Sequence, residues 1–342
     1  MPKVAIVLLN WNGKALLERF LPAVVSTTAG IAETWLADNG SDDGSVEWVQ
    51  DRFPDVKIIR NDRNYGFAAG YNLALRQITA DYYLLLNTDI EVTGNWLQPM
   101  VDLMQKDSSI ACCQPVINSL SDRDCFEHAG AAGGLIDRYG YPFCRGRILS
   151  EKEQNIGQYL TTEVFWATGA CLLIRADLFH LAGGFDVEFF AHMEEIDLCW
   201  RLKNRGFRAM SCSDSKVYHL GGGTLSYMSP EKTFLNFRNN LLMLYKNMFG
   251  PQFLFRMACR FILDGVAGVR FLLGGQLKHL FAVLRAHFSF YGKLPHYMPV
   301  RRKLKKESNH PNMKGLYNGS IISAFYIFGK KTFSQLDKRK FS

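Results

Sequence analysis

The chain has 342 residues, of which 48% are hydrophobic, so it can bury a large core in one domain or in one domain with an appendage. The formal net charge is +8, but residues 1–250 hold 23 Lys and Arg against 29 Asp and Glu, whereas residues 251–342 hold 17 against 3. The eight cysteines include no C-x-x-C pair, which argues against a disulfide framework and a zinc site. We interpret them as reduced thiols of a cytosolic protein.

Strand and helix patterns alternate from the start of the chain, and residues 1–13 lack the small-residue cleavage site of a signal peptide. Apolar runs predict strands at Lys3–Leu9, Thr34–Ala37, Val56–Arg60 and Tyr82–Leu86, with helices between them. Repeated strand and helix units indicate an α/β fold with a mainly parallel, doubly wound sheet. A dinucleotide-binding fold would require G-x-G-x-x-G after the first strand, which NWNGKA does not supply.

The sequence LLLNTD at residues 84–89 is an apolar run that stops at two polar side chains, Asn87 and Asp89. Side chains alternate along a strand, so these two point the same way, toward the sheet edge where ligands bind in open α/β folds. A lone carboxylate at this edge suits a divalent metal and thereby a substrate that carries phosphates. The alternative is that Asn-Thr-Asp only makes the turn after the strand.

The second half of the chain contains a less regular region and a second polar stretch. Glycines interrupt residues 119–162, which predicts a variable loop or hairpin region able to shape an acceptor pocket. The next predicted elements are a strand at Phe165–Arg175, a helix at Asp177–Ala182, a helix at Glu194–Lys203 and short strands at Phe207–Cys212 and Lys216–Tyr218. The first turn of the second helix holds Glu194, Glu195 and Asp197, and the last strand leads to His219.

The C-terminal region is both apolar and basic. After an amphipathic helix predicted at Glu231–Met248, Phe and Leu alternate with Arg and Lys, and no apolar run approaches the ~20 residues of a membrane span. We therefore predict helices in the membrane interface, followed by a basic run at residues 301–306 that meets an anionic membrane surface. The alternative is a helical bundle packed on the body with a solvated basic face. A nucleic-acid-binding arm would be more polar, so no nucleic acid partner is predicted.

Six motifs follow one another in the order VAIVLLNWNG, DNGSDDGS, NYGFAAGYN, LLLNTD, GGFDVEFFAHMEEIDLCWRLKNRG and HLGGG. In order and spacing they resemble glycosyltransferase family 2, the inverting transferases of the GT-A fold, from Val4 to about Gly223. The tail resembles that of bacterial rhamnosyltransferase-type members only loosely. The resemblance implies a GT-A nucleotide-sugar glycosyltransferase domain at residues 1–250 and a basic, amphipathic helical tail at residues 251–342.

The resemblance implies a binding site for a nucleoside diphosphate sugar donor. Asp38 would accept a hydrogen bond from the nucleobase and Asn10 would line the nucleotide site, although a carboxylate at this place can also cap a helix. Asn64, Gly66 and Asn72 would lie near the ribose or the diphosphate, with the glycine permitting close backbone approach. NYGF is also a good turn sequence.

The resemblance further implies that Asp89 binds Mg²⁺ or Mn²⁺ between the two phosphates of the donor and that His219 completes the metal site. The family pattern is commonly Asp-x-Asp, and here its first position is Asn87. Asn87 still offers a neutral oxygen to the metal or a hydrogen bond to the sugar. A lone histidine more often has a structural role.

Glu195 occupies the position of the catalytic base, where the family usually has Glu-Asp and this chain has Glu-Glu, and Glu194 is the reserve candidate. An inverting transfer needs one carboxylate that takes the proton of the acceptor hydroxyl as it attacks the anomeric carbon. Asp197 and Arg201 are expected to pair as i,i+4 neighbours and to support this helix. The alternative is a helix N-terminus that is merely enriched in acids.

Together these features predict a metal-dependent hexosyltransferase, with rhamnosyl transfer as one option, that acts on a glycan or lipid-linked acceptor in polysaccharide biosynthesis. It is expected to be cytoplasmic and peripheral on the inner face of the cell membrane. A noncatalytic sugar-nucleotide binding or scaffold protein of the same fold is the alternative, because Asn87 and Glu195 depart from the family pattern. A nucleotidyltransferase is disfavoured because NWNGKA is not a triphosphate-binding loop rich in Gly, Lys and Arg.

Overall fold

A computed structural model of the chain describes residues 2–127, 130–221 and 229–342, so the end of the HLGGGT motif, from residue 222, lies outside the described residues. The strands are β1 Val4–Asn10, β2 Glu33–Asp38, β3 Lys57–Arg60, β4 Tyr82–Leu86, β5 Ile90–Val92, β6 Ile110–Ser119, β7 Gly134–Asp137, β8 Pro142–Cys144, β9 Arg147–Ile148, β10 Glu151–Lys152, β11 Thr162–Val164, β12 Cys171–Arg175, β13 Arg208–His219 and β14 Leu316–Tyr317. The α-helices are α1 Lys14–Thr28, α2 Ser45–Arg52, α3 Gly66–Leu75, α4 Gln98–Lys106, α5 Ala176–Leu181, α6 Glu194–Asn204, α7 Pro230–Asn247, α8 Phe253–Leu273, α9 Leu277–Glu307 and α10 Ile321–Tyr326.

The described strands build a mixed sheet of nine strands in the order β11, β13, β6, β12, β4, β1, β2, β3, with β5 paired to β13. Strands β1 to β4 are parallel to one another, and β13 is parallel to β6. Strand β12 runs antiparallel between β4 and β6, while β11 and β5 run antiparallel to β13. The predicted α/β class with a mainly parallel sheet is therefore confirmed.

Strand β4 is buried along its whole length because it contributes to a core on each face of the sheet. Leu84 and Leu86 pack in the core that α1, α2 and α4 cover, whereas Tyr83 and Leu85 pack in the core that α3, α5, α6 and α7 cover. The alternation of strand side chains sends neighbouring residues to opposite cores. Each fully buried leucine contributes roughly 1.5–3 kcal/mol to folding, so the sheet is held from both sides.

The C-terminal region is helical, as predicted, and is tied to the rest of the chain. Helix α7 packs along α9, and β14 pairs in parallel with β7 in a second sheet of five described strands. Glu307 at the end of α9 forms an ion pair with Arg205. The other strands of this second sheet form antiparallel hairpins within residues 134–152, inside the predicted hairpin region. Among the described helices, none is long and apolar enough to cross a membrane.

One local prediction is wrong. The two short strands predicted at Phe207–Cys212 and Lys216–Tyr218 are one strand, β13, because the irregularity between Cys212 and Lys216 shifts its register against β6 without ending the pairing. Helix α2 has no side-chain cap, since its N-cap is Gly44 in the left-handed conformation (φ 73°). The Asp43 carboxylate instead accepts from the backbone N–H groups of Lys14 and Ser45.

Candidate functional site

The polar residues that end four strands lie at one edge of the main sheet. Asn10 at the end of β1 is in register with Asp38 at the end of β2, and β4 on the other side of β1 ends just before Asn87. Strand β13 brings His219 opposite Ile90, next to Asp89. The carboxyl ends of parallel strands share an edge, so this convergence is the expected consequence of the topology.

Asn10 and Asp38 form the polar cluster on the β1 and β2 side of this edge. The Asn10 amide nitrogen donates to Asp38 Oδ1 (3.1 Å), Ser41 Oγ (3.1 Å) and Ser45 Oγ (2.8 Å). Asp38 Oδ2 accepts from the N–H groups of Gly40 (3.1 Å) and Ser41 (3.0 Å) and so holds the turn after β2. Asn10 Oδ1 is buried without a hydrogen-bond partner in the described part of the chain, which leaves it available to a ligand donor.

Three of the residues predicted to bind the nucleoside diphosphate sugar make contacts within the protein in this structure. Asn64 Oδ1 accepts from the Gly66 N–H (2.8 Å), and both amide atoms of Asn72 bond the backbone of Phe185 (2.8 and 2.9 Å). The close approach at Gly66 is made by the Phe190 ring, which would lie 2.5 Å from an added Cβ. Gly66 and Asn72 thus connect the third motif to the segment before α6, and Asn64 holds the turn at the start of α3.

Asp89 and His219 meet at the other end of the same edge. His219 Nε2 lies 3.1 Å from Asp89 Oδ1, and its Nδ1 lies 3.2 Å from Glu127 Oε2. Burial opposes the charged imidazolium, but the hydrogen bonds and charges of the two carboxylates outweigh it and raise the pKa of His219 to about 10. Sequence reasoning missed Glu127, which lies in the irregular region beyond β6.

The donor set of Asp89 and His219 fits a divalent cation. Carboxylate oxygen and imidazole nitrogen are common ligands of such ions, and two ligands of one ion at ~2.1 Å and a right angle lie about 3 Å apart, as these atoms do. Because His219 has a raised pKa, a cation would have to take the place of its Nε2 proton. Within the described ranges, no group of three or more His, Cys, Asp or Glu side chains is arranged to hold a metal. A cation here would therefore need further oxygen ligands from its substrate, and Glu127 on the far nitrogen would fix the imidazole ring.

The two glutamates at the start of α6 differ in accessibility. Glu194 is buried, and burial together with the neighbouring Glu195 carboxylate raises its pKa well above the ordinary value. Glu195 is half-buried, and burial raises its pKa to about 7, against the lowering effect of nearby backbone N–H groups. Its Oε2 is itself buried and has no hydrogen-bond partner among the described residues. A partly buried carboxylate that loses its proton near neutral pH is suited to general base catalysis.

A short segment before β12 connects Glu195 with the residues after β4. A Cβ added at Gly169 would lie 3.6 Å from the Glu195 Cβ, and the next carbonyl, of Ala170, accepts from the Asn87 N–H (2.9 Å). Glu195 and the Asn87 to Asp89 turn therefore border the same part of the sheet edge. Sequence reasoning assigned this segment to a strand and gave it no role.

Asp197 lies beneath the helix rather than at its exposed side. Its carboxylate is fully buried and bonds Arg201 Nε (2.8 Å), Lys246 Nζ (2.9 Å) and Asn247 Nδ2 (2.7 Å). The predicted pairing with Arg201 is thus confirmed, and two residues of α7 join it. With its oxygens bonded to these three side chains, Asp197 supports the helix that carries Glu195.

The loop that leads into α6 has an unusual backbone. Phe190 (φ 60°), His192 (φ 70°) and Met193 (φ 73°) all have positive φ although none is glycine. Phe190 has ψ −61°, and the Ala191 N–H donates to the Phe189 carbonyl at 2.6 Å, which makes a γ-turn of the rare, strained kind. Such conformations cost about 1–3 kcal/mol each and cluster at functional sites.

Residues 5–181 match the family model described as Glycosyl transferase family 2. The N-acetylglucosaminyl-diphospho-decaprenol L-rhamnosyltransferase of Mycobacterium tuberculosis is 25% identical over 230 residues, which cover 63% of this chain and 75% of that relative. The low-salt glycan biosynthesis hexosyltransferase Agl10 of Haloferax volcanii is 23% identical over 244 residues, 70% of this chain and 74% of the relative.

Two solved structures share the fold. GalNAc-T7 with UDP, GalNAc and Mn²⁺ superposes with a TM-score of 0.57 and 19% identity over 72% of this chain and 48% of its own, so this chain spans about half the length of that protein. The mannosyltransferase PcManGT from Pyrobaculum calidifontis, in complex with GDP-Man and Mn²⁺, has a TM-score of 0.51 and 14% identity over 90% of this chain and 84% of its own. These likenesses confirm the predicted GT-A fold.

Replacing Gly66 by alanine is expected to lower the free energy of unfolding by more than about 1 kcal/mol, because the added Cβ would overlap the Phe190 ring and φ is +75°. Urea unfolding followed by tryptophan fluorescence measures this. Gly94→Ala is the matched control, since an added Cβ there has no neighbour within 4 Å. Equal stability of the two variants would contradict the close packing of Phe190 on Gly66.

Proposed function

Because the chain belongs to glycosyl transferase family 2, we propose that it is an inverting transferase that moves a sugar from a nucleoside diphosphate donor to a glycan or lipid-linked acceptor in polysaccharide biosynthesis. The observation that carries this proposal is Glu195, a partly buried carboxylate with one buried, unbonded oxygen beside the edge that holds Asp89 and His219. The rhamnosyltransferase relative supports an L-rhamnosyl donor and a lipid-linked acceptor.

In the proposed reaction, the Glu195 carboxylate takes the proton of the acceptor hydroxyl while the hydroxyl oxygen attacks the anomeric carbon of the donor. The bond from that carbon to the diphosphate breaks as the new glycosidic bond forms, and the configuration inverts. Glu194 is enclosed and stays the reserve candidate, because its buried carboxyl is less accessible to an acceptor. General base catalysis of this kind is typically worth ~10²–10⁴ in rate.

The donor is proposed to lie along the strand ends, from Asn10 and Asp38 at the nucleoside to Asp89 and His219 at the diphosphate. Asn10 Oδ1 offers an acceptor to the nucleoside, and Asp38 shapes the turn around it. Asp89 and His219 would hold Mg²⁺ or Mn²⁺, which when bound stabilises the negative charge of the leaving nucleoside diphosphate. Asn87, at the position where the family has its first aspartate, is proposed to face the sugar.

The rival function is a noncatalytic binder or scaffold of the same fold. It would bind a nucleoside diphosphate sugar without releasing the diphosphate. The position of Glu195 beside Asp89 and His219, with a pKa raised by burial into the range of a catalytic base, favours the enzyme.

The proposal is tested with a panel of nucleoside diphosphate sugars, Mn²⁺ and a lipid-linked glycan acceptor, with nucleoside diphosphate release as the measurement. One donor is expected to be turned over, and Glu195→Gln is expected to lower kcat by about 10²–10⁴ while donor binding is retained, since only the base is lost. Binding of a donor without release by the wild type would support the scaffold instead.

The pH profile provides a second readout of the same prediction. The wild-type kcat/KM should fall below a pH of about 7, because Glu195 must be deprotonated to accept a proton. Glu195→Gln should lose this inflection. Glu47→Gln, an exposed glutamate on α2, is the control and should keep both rate and profile. Near-normal turnover by Glu195→Gln would exclude Glu195 as the base and leave Glu194 as the candidate.

Asp89→Ala is expected to lose most Mn²⁺ binding in the presence of a nucleoside diphosphate, because it removes one of two proposed protein ligands. Titration of free Mn²⁺ by electron paramagnetic resonance measures this without reference to activity. Asp55→Ala removes an exposed carboxylate and should bind Mn²⁺ like the wild type. Unchanged Mn²⁺ affinity in the Asp89 variant would refute the metal site.

Residues 251–342 are proposed to form a separate functional unit that docks on the inner face of the cell membrane. Helices α8 and α9 expose apolar side chains at helical spacing, namely Leu254, Ile262, Val266, Val269, Leu273, Leu277, Phe281, Leu284, Phe288 and Tyr291. The end of α10 extends this surface, since exposed Tyr326 bonds Arg270 of α8 (2.7 Å) and is followed by exposed Ile327 and Phe328. The 17 basic residues of this region suit anionic headgroups.

The double variant Phe281→Glu and Phe288→Glu is expected to lower co-sedimentation with phosphatidylglycerol vesicles, because both side chains are exposed on α9 and glutamate opposes insertion and anionic lipid alike. Phosphatidylcholine vesicles should bind the wild type more weakly. Ile156→Glu changes an equally exposed residue outside this region and serves as the control. Equal sedimentation of all three proteins would rule out docking through α9.

A further inference from the structure

Asn239, in the middle of α7, is fully buried. Its side-chain amide donates hydrogen bonds to three backbone carbonyls of the loop before α6. Its Nδ2 lies 2.9 Å from the Phe189 oxygen, 2.9 Å from the Ala191 oxygen and 2.8 Å from the His192 oxygen. An amide group has only two hydrogens, so one of them is shared between two of these carbonyls. One side chain thereby bonds three of the backbone carbonyls of this loop.

The orientation of the Asn239 amide is fixed from its other side. Arg238 Nε donates to Asn239 Oδ1 (2.9 Å), while its Nη2 donates to the Glu188 carbonyl (2.7 Å). The remaining carbonyl, of Phe190, accepts from the Phe67 N–H at the start of α3 (2.8 Å). The five carbonyls of residues 188–192 are therefore each directed at a donor on α3 or α7.

The outer side of the same segment is held by the C-terminal region. Tyr297 of α9 donates to the Asp186 carboxylate (3.0 Å), and Lys293 of α9 pairs with Glu188. These contacts fix the entrance of the segment. The α9 contacts thus lie before the strained backbone, whereas Asn239 bonds the carbonyls on either side of Phe190 and that of His192, within it.

We propose that Asn239 is a positioning residue for the catalytic base, holding the strained loop that sets where Glu195 begins α6. This inference rests on the proposed function. Without the amide, the Ala191 and His192 carbonyls lose the Asn239 donor beside residues with positive φ, and the Phe189 carbonyl loses one of its donors. The loop then relaxes toward ordinary backbone conformations, and Glu195 moves away from the acceptor. Neither the donor site at the strand ends nor the metal ligands contact Asn239.

The test compares Asn239→Ala with the wild type in kcat, donor KM, pH profile and amide hydrogen exchange. We expect kcat to fall about 10²-fold, the cost of misplacing a reacting group by ~1 Å, with the donor KM unchanged. The inflection near pH 7 should move to lower pH as Glu195 becomes more exposed. Exchange should become faster in residues 188–196. Asn239→Ser keeps one donor, so it should be intermediate and remains informative if the alanine variant does not fold.

Gln77→Ala is the matched control, since it also deletes an amide that bonds a backbone carbonyl, that of Leu73 (3.2 Å), away from the loop and from α6. It should leave kcat and the pH profile unchanged. If the wild type transfers sugar but the Asn239 variants keep its kcat, pH profile and loop exchange, the positioning role is overturned and the proposed function stands. If the wild type releases no diphosphate from any donor, the proposed function falls, and with it this role.

Discussion

Burial of β4 on both faces is the constraint from which the site follows. Five consecutive apolar residues reach two cores, so the strand has no polar position until it leaves the sheet. The first polar side chains after it, Asn87 and Asp89, are therefore delivered to the sheet edge. Strand β1 beside it ends at the same level with Asn10. Residues placed in this way are held by the rigid core. The proposed metal ligands and the proposed base need such rigidity because they act on one substrate.

The sequence predicts the part of this arrangement that depends on local pattern. Apolar runs located β1 to β4, and parallel pairing then places Asn10, Asp38 and Asp89 at one edge without knowledge of any long-range contact. The contacts of Gly66 with Phe190 and of Asn72 with Phe185 join residues more than a hundred positions apart in the chain, so no local pattern indicates them. The sequence of a turn predicts its local backbone conformation but does not predict which other element packs on it.

The roles of two further residues, Glu127 and Asn239, could not be predicted from the sequence, because their partners are brought to them only by folding. Glu127 follows β6 in an irregular region, and only the pairing of β6 with β13 places it beside His219. Asn239 sits in an amphipathic helix whose pattern marks it as one more buried position, whereas its function comes from three carbonyls of a distant loop. Polar residues inside a core are satisfied by partners remote in sequence, so their roles appear only after folding.

The C-terminal region adds a consequence for catalysis, because it contacts both ends of the helix that carries Glu195. Near the far end of α6, the Lys203 carbonyl accepts from the Asn312 N–H (2.8 Å), and buried Lys203 pairs with Glu163, to which Asn312 also donates (2.6 Å). At the near end, α9 holds Asp186 and Glu188. The free-energy cost of burying the Lys203 and Glu163 ion pair stays small only while its neighbouring hydrogen bonds are kept. Residues 251–342 therefore both present an exposed apolar surface and secure α6, so a change on that surface can reach the proposed base through packed side chains alone.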